Sequence, residues 1–152
     1  MRQISTSAFE IAQRFVGTKE VAGKMANPQI LAMLKLDDEW PEDDSVPWCS
    51  AFVNYVAWLL HLPRSKSLRA RSWLDVAVAI EPEDLEVGLD VVVFQRGIGR
   101  QPGPKVRKAP GHVGFYAGRQ GGGILTLGGN QGDMVSLASY AGTRILGCRR
   151  LA

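Results

Sequence analysis

The pattern of the chain changes near residue 90, and that change restricts the fold more than any other feature. Before it, apolar residues recur at helical spacing. In SAFEIAQRFVG, residues 7–17, Ser7 and Glu10 stand at capping-box spacing. Ile11, Ala12, Phe15 and Val16 form a stripe, and Gly17 ends it. NPQILAMLKL offers Asn27 as an N-cap and Pro28 at the first helical position. PWCSAFVNYVAWLLH, 47–61, predicts a third helix with Phe52, Tyr55, Val56 and Leu59 facing a core, and ARSWLDVAVAI, 70–80, a fourth. After the change come DVVVF (90–94), HVGFYAG (112–118), ILTLGG (124–129) and RILGCRR (144–150). These runs are short, β-branched or aromatic, and separated by glycines, so they predict strands. Helices followed by strands imply an α+β fold, with N-terminal helices packed on an antiparallel sheet.

The 152 residues suit a single domain, 1–152, with one sizeable core. No run of 18 apolar residues is present, so no membrane span is expected. MRQISTSAFEIAQRFVG lacks the apolar stretch and cleavage site of a signal peptide. Synthesis in the cytoplasm, with any export by another route, is therefore expected. The net charge of +3 and pI near 9.1 fit an anionic polymer as partner without requiring one. Two cysteines make no disulfide framework. CxxC, HxxxH, GxGxxG and GxxxxGK[ST] motifs are all missing, so neither a metal nor a nucleotide cofactor is expected.

Cys49 falls just after Pro47, in the first turn of the third helix. Unpaired N–H groups there stabilise a thiolate. The same position suits a small core residue, so a nucleophile needs a base and an orienter to be credible. His112 opens one strand, and the return strand lies across the turn RQGGG, 119–123. If the hairpin is symmetric about Gly121, Asn130 lies opposite His112. One face then carries His112, Gly114 and Tyr116 against Asn130, Gly128 and Thr126. The other carries Val113, Phe115 and Ala117 as a core layer. A one-residue slip would make Gln131 the orienter instead. An ordinary edge histidine and a turn asparagine are the bland alternatives. His61 reads as a helix C-terminal residue and Cys148 as a structural one.

Two loops complete the inventory. QRGIGRQPGPKVRKAPG, 95–111, has five basic residues and no acidic ones. It is either a mobile connector or a substrate-contacting loop. The stretch 37–44 holds Asp37, Asp38, Glu39, Glu42, Asp43 and Asp44. It lacks the spacing of an EF-hand and is read as a solvated loop rather than a calcium site.

Together, PWCSAFVNYV, DVVVFQRG, GHVGFYAG and LGGNQ resemble the CHAP and NlpC/P60 superfamily of papain-like cysteine peptidases and amidases, in its small bacterial and phage branch. The resemblance runs from GTKEVAGK, 17–24, to GCRR, 147–150. It implies a papain-like core with Cys49 as nucleophile at a helix N-terminus, His112 as base and Asn130 as third member. Two departures stand out. Trp48 precedes the cysteine, where NlpC/P60 enzymes usually have Asp, and Gly88 and Asp90 are separated by one residue where "GD" is usual.

The implied activity is peptidoglycan hydrolysis through an acyl-enzyme, either within the stem peptide or at its junction with the sugar. Acyl transfer on the same fold and non-catalytic wall binding are the alternatives. Trp48 and Tyr116 are expected as cleft walls, and Arg96, Arg100, Lys105, Arg107 or Lys108 as holders of a stem-peptide carboxylate. Peptidoglycan is the expected partner of a monomer, with an immunity or inhibitor protein as a second partner for a secreted toxin. Nucleic acid is not expected. The place of action would be the periplasm or cell wall, reached by phage lysis or specialised secretion.

Overall fold

A computed structural model describes residues 2–21, 26–37 and 47–152. Helix α1 spans Ala8–Gln13, α2 Pro28–Leu34 and α3 Cys49–Leu59. The expected caps form. Ser7 and Glu10 complete a reciprocal capping box, and the Asn27 side chain accepts from the Gln29 N–H with Pro28 behind it. On α3 the apolar positions Cys49, Phe52, Val53, Val56 and Ala57, at spacings of three and four, are buried, and so are Ser50, Ala51 and Asn54. Tyr55 is half-buried and Leu59 is exposed, so the buried stripe is rotated from the expected one.

The α-helix expected over 70–80 does not form. Ala70–Asp75 is a 3-10 helix that buries Trp73 and Leu74, and Val78–Ile80 is strand β1. The β-branched run VAVAI favours extended backbone once the short helix has ended. The remaining strands are β2 Asp90–Gln95, β3 Gly111–Gln120, β4 Gly123–Gly128, β5 Ser136–Ala141 and β6 Ile145–Arg150. The strand order is β1-β6-β2-β3-β4-β5, and every neighbouring pair is antiparallel. Strand β5 has no apolar alternation, which is why SLASYA did not register as a strand. No described helix is long and apolar enough to cross a membrane.

The two faces of the sheet have different work. Val91, Val93, Val113, Phe115 and Leu127 pack against the helices. Phe15, Phe52 and Phe115 link helix and sheet through edge-to-face contacts about 6 Å apart. On the opposite face Ile80, Val92, Phe94, Tyr116, Ile124, Tyr140, Ile145 and Cys148 form one cluster, drawn from all six strands. Phe94 of β2 stacks on Tyr140 of β5 at 4.8 Å although β3 and β4 lie between them in the sheet, so the sheet curls and this face is an interior. Tyr116 belongs to it and is not a cleft wall. Burial pushes the Cys148 thiol up to about 11, in keeping with a structural residue. At one strand end buried Asp90 pairs bidentately with Arg150 at 2.8 Å and accepts the Glu86 N–H.

Trp48 also departs from expectation. It is fully buried, and its indole N–H donates to Glu20 Oε1 at 2.6 Å. A Cβ added at Gly129 would stand 2.7 Å from the Trp48 ring and 2.8 Å from Phe52 Cβ. Both neighbours are fixed in the core. Gly129→Ala is therefore expected to destabilise the protein by about 1–3 kcal/mol through overpacking. The check is a lowered urea midpoint at unchanged slope. An unchanged midpoint would show that the indole can yield.

Candidate functional site

The hairpin β3–β4 keeps the expected pairing where it matters. Phe115 faces Leu127 and Tyr116 faces Thr126. Nearer the turn the register shifts by one, with Gly118 opposite Leu125, so a bulge at Ala117 lies between the turn and the site. The ladder ends at Gly128 and never reaches an Asn130–His112 pair. Asn130 takes a left-handed backbone at φ 56°, which reverses the chain and ends the strand alternation. The next side chain, Gln131, turns back towards the imidazole. Gln131 Oε1 lies 2.8 Å from His112 Nε2, and both residues are buried, at 6% and 4% exposure. The amide that faces His112 thus comes from Gln131, not from Asn130.

The orientation of this amide is determined by its surroundings. Gln131 Nε2 donates to the Ser136 carbonyl at 2.7 Å and the Thr126 carbonyl at 3.3 Å. Its oxygen must then face His112, and it also accepts from the Tyr140 hydroxyl at 3.1 Å. An acceptor at Nε2 requires Nε2–H, so the neutral imidazole carries its lone pair at Nδ1. A Cβ at Gly128 would lie 2.7 Å from Gln131 Oε1 and 3.3 Å from His112 Nε2. The glycines of LGGN therefore provide room for packing at 128 and 129 rather than turn conformations.

Cys49 is the first residue of α3, and its thiol is buried beside the Val113 backbone. Val113 follows His112, so the thiol lies beside the strand end that carries the imidazole. Burial raises the thiol pKa. The N–H of Val113, the Arg96 charge and the N–H groups of Ser50 and Cys49 pull the other way. Burial also lowers His112 to about 4, against the Gln131 hydrogen bond and with help from Arg96. Both shifts favour the uncharged forms, so the resting site holds a thiol and a neutral imidazole rather than an ion pair.

A cavity of about 450 Å³ opens over Cys49. Pro47, Leu68 and Arg69 line one side, and Arg96, Lys108, Pro110 and Gly111 the other. Of the five cations expected from loop 95–111, Arg96 and Lys108 face it. Arg107 instead forms a bidentate pair with Asp75 at 2.8–2.9 Å, while Arg100 and Lys105 are exposed away from the cavity. Arg69 was not anticipated. It stands at the end of a segment held by buried polar groups of α3. Asn54 donates to Ser65 Oγ and accepts the Lys66 N–H, and Ser50 donates to the Ser67 carbonyl while receiving the Trp73 indole N–H.

The loop itself is pinned by Arg71, a fully buried guanidinium. It donates to the carbonyls of Gly103, Val106 and Pro110 at 2.7–3.0 Å. The Arg144 guanidinium adds a bond to the Gly97 carbonyl. Asp37 pairs with Arg64 through two 3.1 Å bonds, and residues 38–44 of the acidic stretch lie outside the described residues. His61 lies past the far end of α3 and takes no part in the site.

Two outcomes follow from this geometry. Gln131→Ala should slow His112-dependent chemistry at Cys49 by about 10–100-fold, whereas Asn130→Gly should leave it within about twofold. Equal effects of the two changes would contradict the hydrogen bond found here. The second outcome concerns pH. His112 stays neutral in the folded protein down to about pH 4 but takes a proton near 6.5 when unfolded. Between these values the unfolded chain binds more protons, so stability falls as pH falls from 6.5 to 4, by up to about 3 kcal/mol. His112→Gln should lack this limb in urea titrations at a series of pH values. Equal native stability at pH 4.5 and 7 would exclude a buried neutral imidazole.

No protein-family model and no curated protein sequence matches the chain. Several solved structures resemble it, among them the following three. NlpC1 from Trichomonas vaginalis is 16% identical with a TM-score of 0.59, over 99% of this chain and 46% of its own. NlpC2 from the same organism is 16% identical with a TM-score of 0.56, over 99% and 48%. An NlpC/P60 family protein from Bacillus cereus ATCC 10987 is 16% identical with a TM-score of 0.55, over 95% and 39%. The chain spans less than half the length of each. Its curled antiparallel sheet, backed by a helix that begins at a cysteine, is the α+β, papain-like fold of the NlpC/P60 proteins.

Proposed function

We propose that the chain is a cysteine-dependent peptidoglycan hydrolase that cleaves an amide bond through an acyl-enzyme. The observation that carries this reading is the commitment of His112 Nε2 to Gln131 Oε1 beside a helix-starting cysteine. It leaves Nδ1 as a base at the strand end where Cys49 lies. Because both groups rest uncharged, the proton leaves the thiol as the sulfur attacks the carbonyl carbon. Nδ1 receives it, and the backbone N–H of Cys49, at a helix N-terminus, is the donor to the developing oxyanion. The imidazolium then protonates the departing amine. In the second half His112 takes a proton from water, hydroxide attacks the thioester, and the acid product and free thiol are released.

The cavity supports an anionic substrate. Arg69, Arg96 and Lys108 face it, and no acidic side chain lines it among the described residues. Stem peptides carry carboxylates, and three cations around one cavity match them. The wall is then the place of action. Endopeptidase and amidase cleavage leave different new termini. Transfer to an amine would leave an amide, and a binding module would leave none of these products.

The test is digestion of purified peptidoglycan followed by mass spectrometry. Cys49→Ala and His112→Ala should each abolish product, and the double variant should be no worse, because members of one catalytic unit are not additive. Arg69, Arg96 and Lys108 changed together to Gln should raise KM several-fold and flatten its salt dependence, since exposed charges are screened within about 10 Å at ordinary salt. Arg100 and Lys105 changed to Gln should do neither. Cys49→Ala activity within tenfold of native would end the proposal.

A further inference from the structure

Tyr140 belongs to strand β5, which the sequence did not reveal, and it touches the site twice. Its ring lies on the His112 imidazole, with centroids 4.9 Å apart and planes 28° apart, and it stacks on Phe94 at 4.8 Å. Its hydroxyl donates to the same Gln131 oxygen that faces His112 Nε2. We infer that Tyr140 is a positioning residue of this site: its ring sets the plane of the imidazole, and its hydroxyl holds the Gln131 oxygen, so that Nδ1 is the nitrogen presented to Cys49. The inference rests on the reading of His112 as the base.

One hydrogen bond at Nε2 cannot orient an imidazole alone. The torsion that turns the ring is broad, and the ring can pivot about the bond to the amide. Stacking removes that pivot. A carbonyl oxygen has two lone pairs, and His112 and Tyr140 occupy both, while the Gln131 amide nitrogen is held by two main-chain carbonyls. Every polar atom of the Gln131 side chain is therefore engaged. A tyrosine kept only for packing would not need its hydroxyl at this point. Burial pushes that hydroxyl up to about 12, so it stays a donor at any working pH. The groups that act on His112 are Gln131, Tyr140 and Arg96.

The experiment uses the full chain with 15N-labelled histidine, and compares Tyr140→Phe, which keeps the ring, with Tyr140→Leu, which keeps neither ring nor hydroxyl. Imidazole nitrogen shifts report tautomer and titration without any substrate, so this arm stands even if peptidoglycan is not cleaved. The native protein and Tyr140→Phe should show the Nε2–H form, with faster exchange of that proton in the variant. Folded Tyr140→Leu should show a mixture with Nδ1–H and a midpoint moved towards 6.5. On peptidoglycan, kcat should fall about fivefold for Phe and about 100-fold for Leu, with KM unchanged. A folded Tyr140→Leu with native tautomer and midpoint overturns the inference. If Tyr140→Leu does not fold, Tyr140→Phe decides: native proton exchange and native kcat would reduce Tyr140 to a packing residue.

Discussion

The hydrogen bond between His112 Nε2 and Gln131 Oε1 organises the end of the molecule that carries the cysteine. It is buried, so the atoms that make it need partners, and the fold supplies one to every polar atom of the Gln131 side chain. Gly128 leaves space for the pair, Gly129 lets the strand approach Trp48 and Phe52, and Asn130 turns the backbone left-handed so that Gln131 can reach back. Strand β5 contributes the Ser136 carbonyl and the Tyr140 ring. Removing any of these would leave a buried donor or acceptor unpaired or misdirected, which costs more than the bond itself is worth.

Electrostatics divide the site into a dry interior and a charged rim. Inside, burial keeps Cys49 and His112 uncharged, and help for a developing negative charge comes from N–H groups of Val113, Ser50 and Cys49 and from Arg96. Outside, Arg69, Arg96 and Lys108 face the cavity with no anion among the described residues to neutralise them. The walls that hold these cations are anchored by buried polar side chains. Asn54 and Ser50 fix the segment before Arg69, and Arg71 ties down the loop on both sides of Lys108 through three carbonyls. A long Gly- and Pro-rich connection thereby becomes a defined wall.

Much of this was legible in the residues. Capping residues name their own helix starts, because Ser7, Glu10, Asn27 and Pro28 act within one turn. Cys49 at a helix N-terminus and His112 at the head of a strand followed from local pattern. So did the pairing of Phe115 with Leu127 across the hairpin. Strand β5 was not legible, since it owes its place to pairing with β4 and not to apolar alternation. The segment Ala70–Asp75 forms a 3-10 helix instead of the expected α-helix because Ala and Leu suit both.

What the sequence by itself determined is therefore whatever acts over a few residues: caps, the helix-starting cysteine, the strand bearing His112 and the glycines that separate the strands. What only the tertiary structure decided is whatever depends on distant partners. A backbone reversal at Asn130 selected Gln131 over its neighbour. Curling of the sheet turned the seemingly open face of Tyr116 into an interior and brought Tyr140 onto the imidazole. Pairing with Asp75 withdrew Arg107 from the cavity, and burial removed charge from the thiol and imidazole. Local pattern encodes the direction of the backbone. Closeness between residues far apart in sequence, and the dielectric around them, arises only when the sheet closes and water leaves.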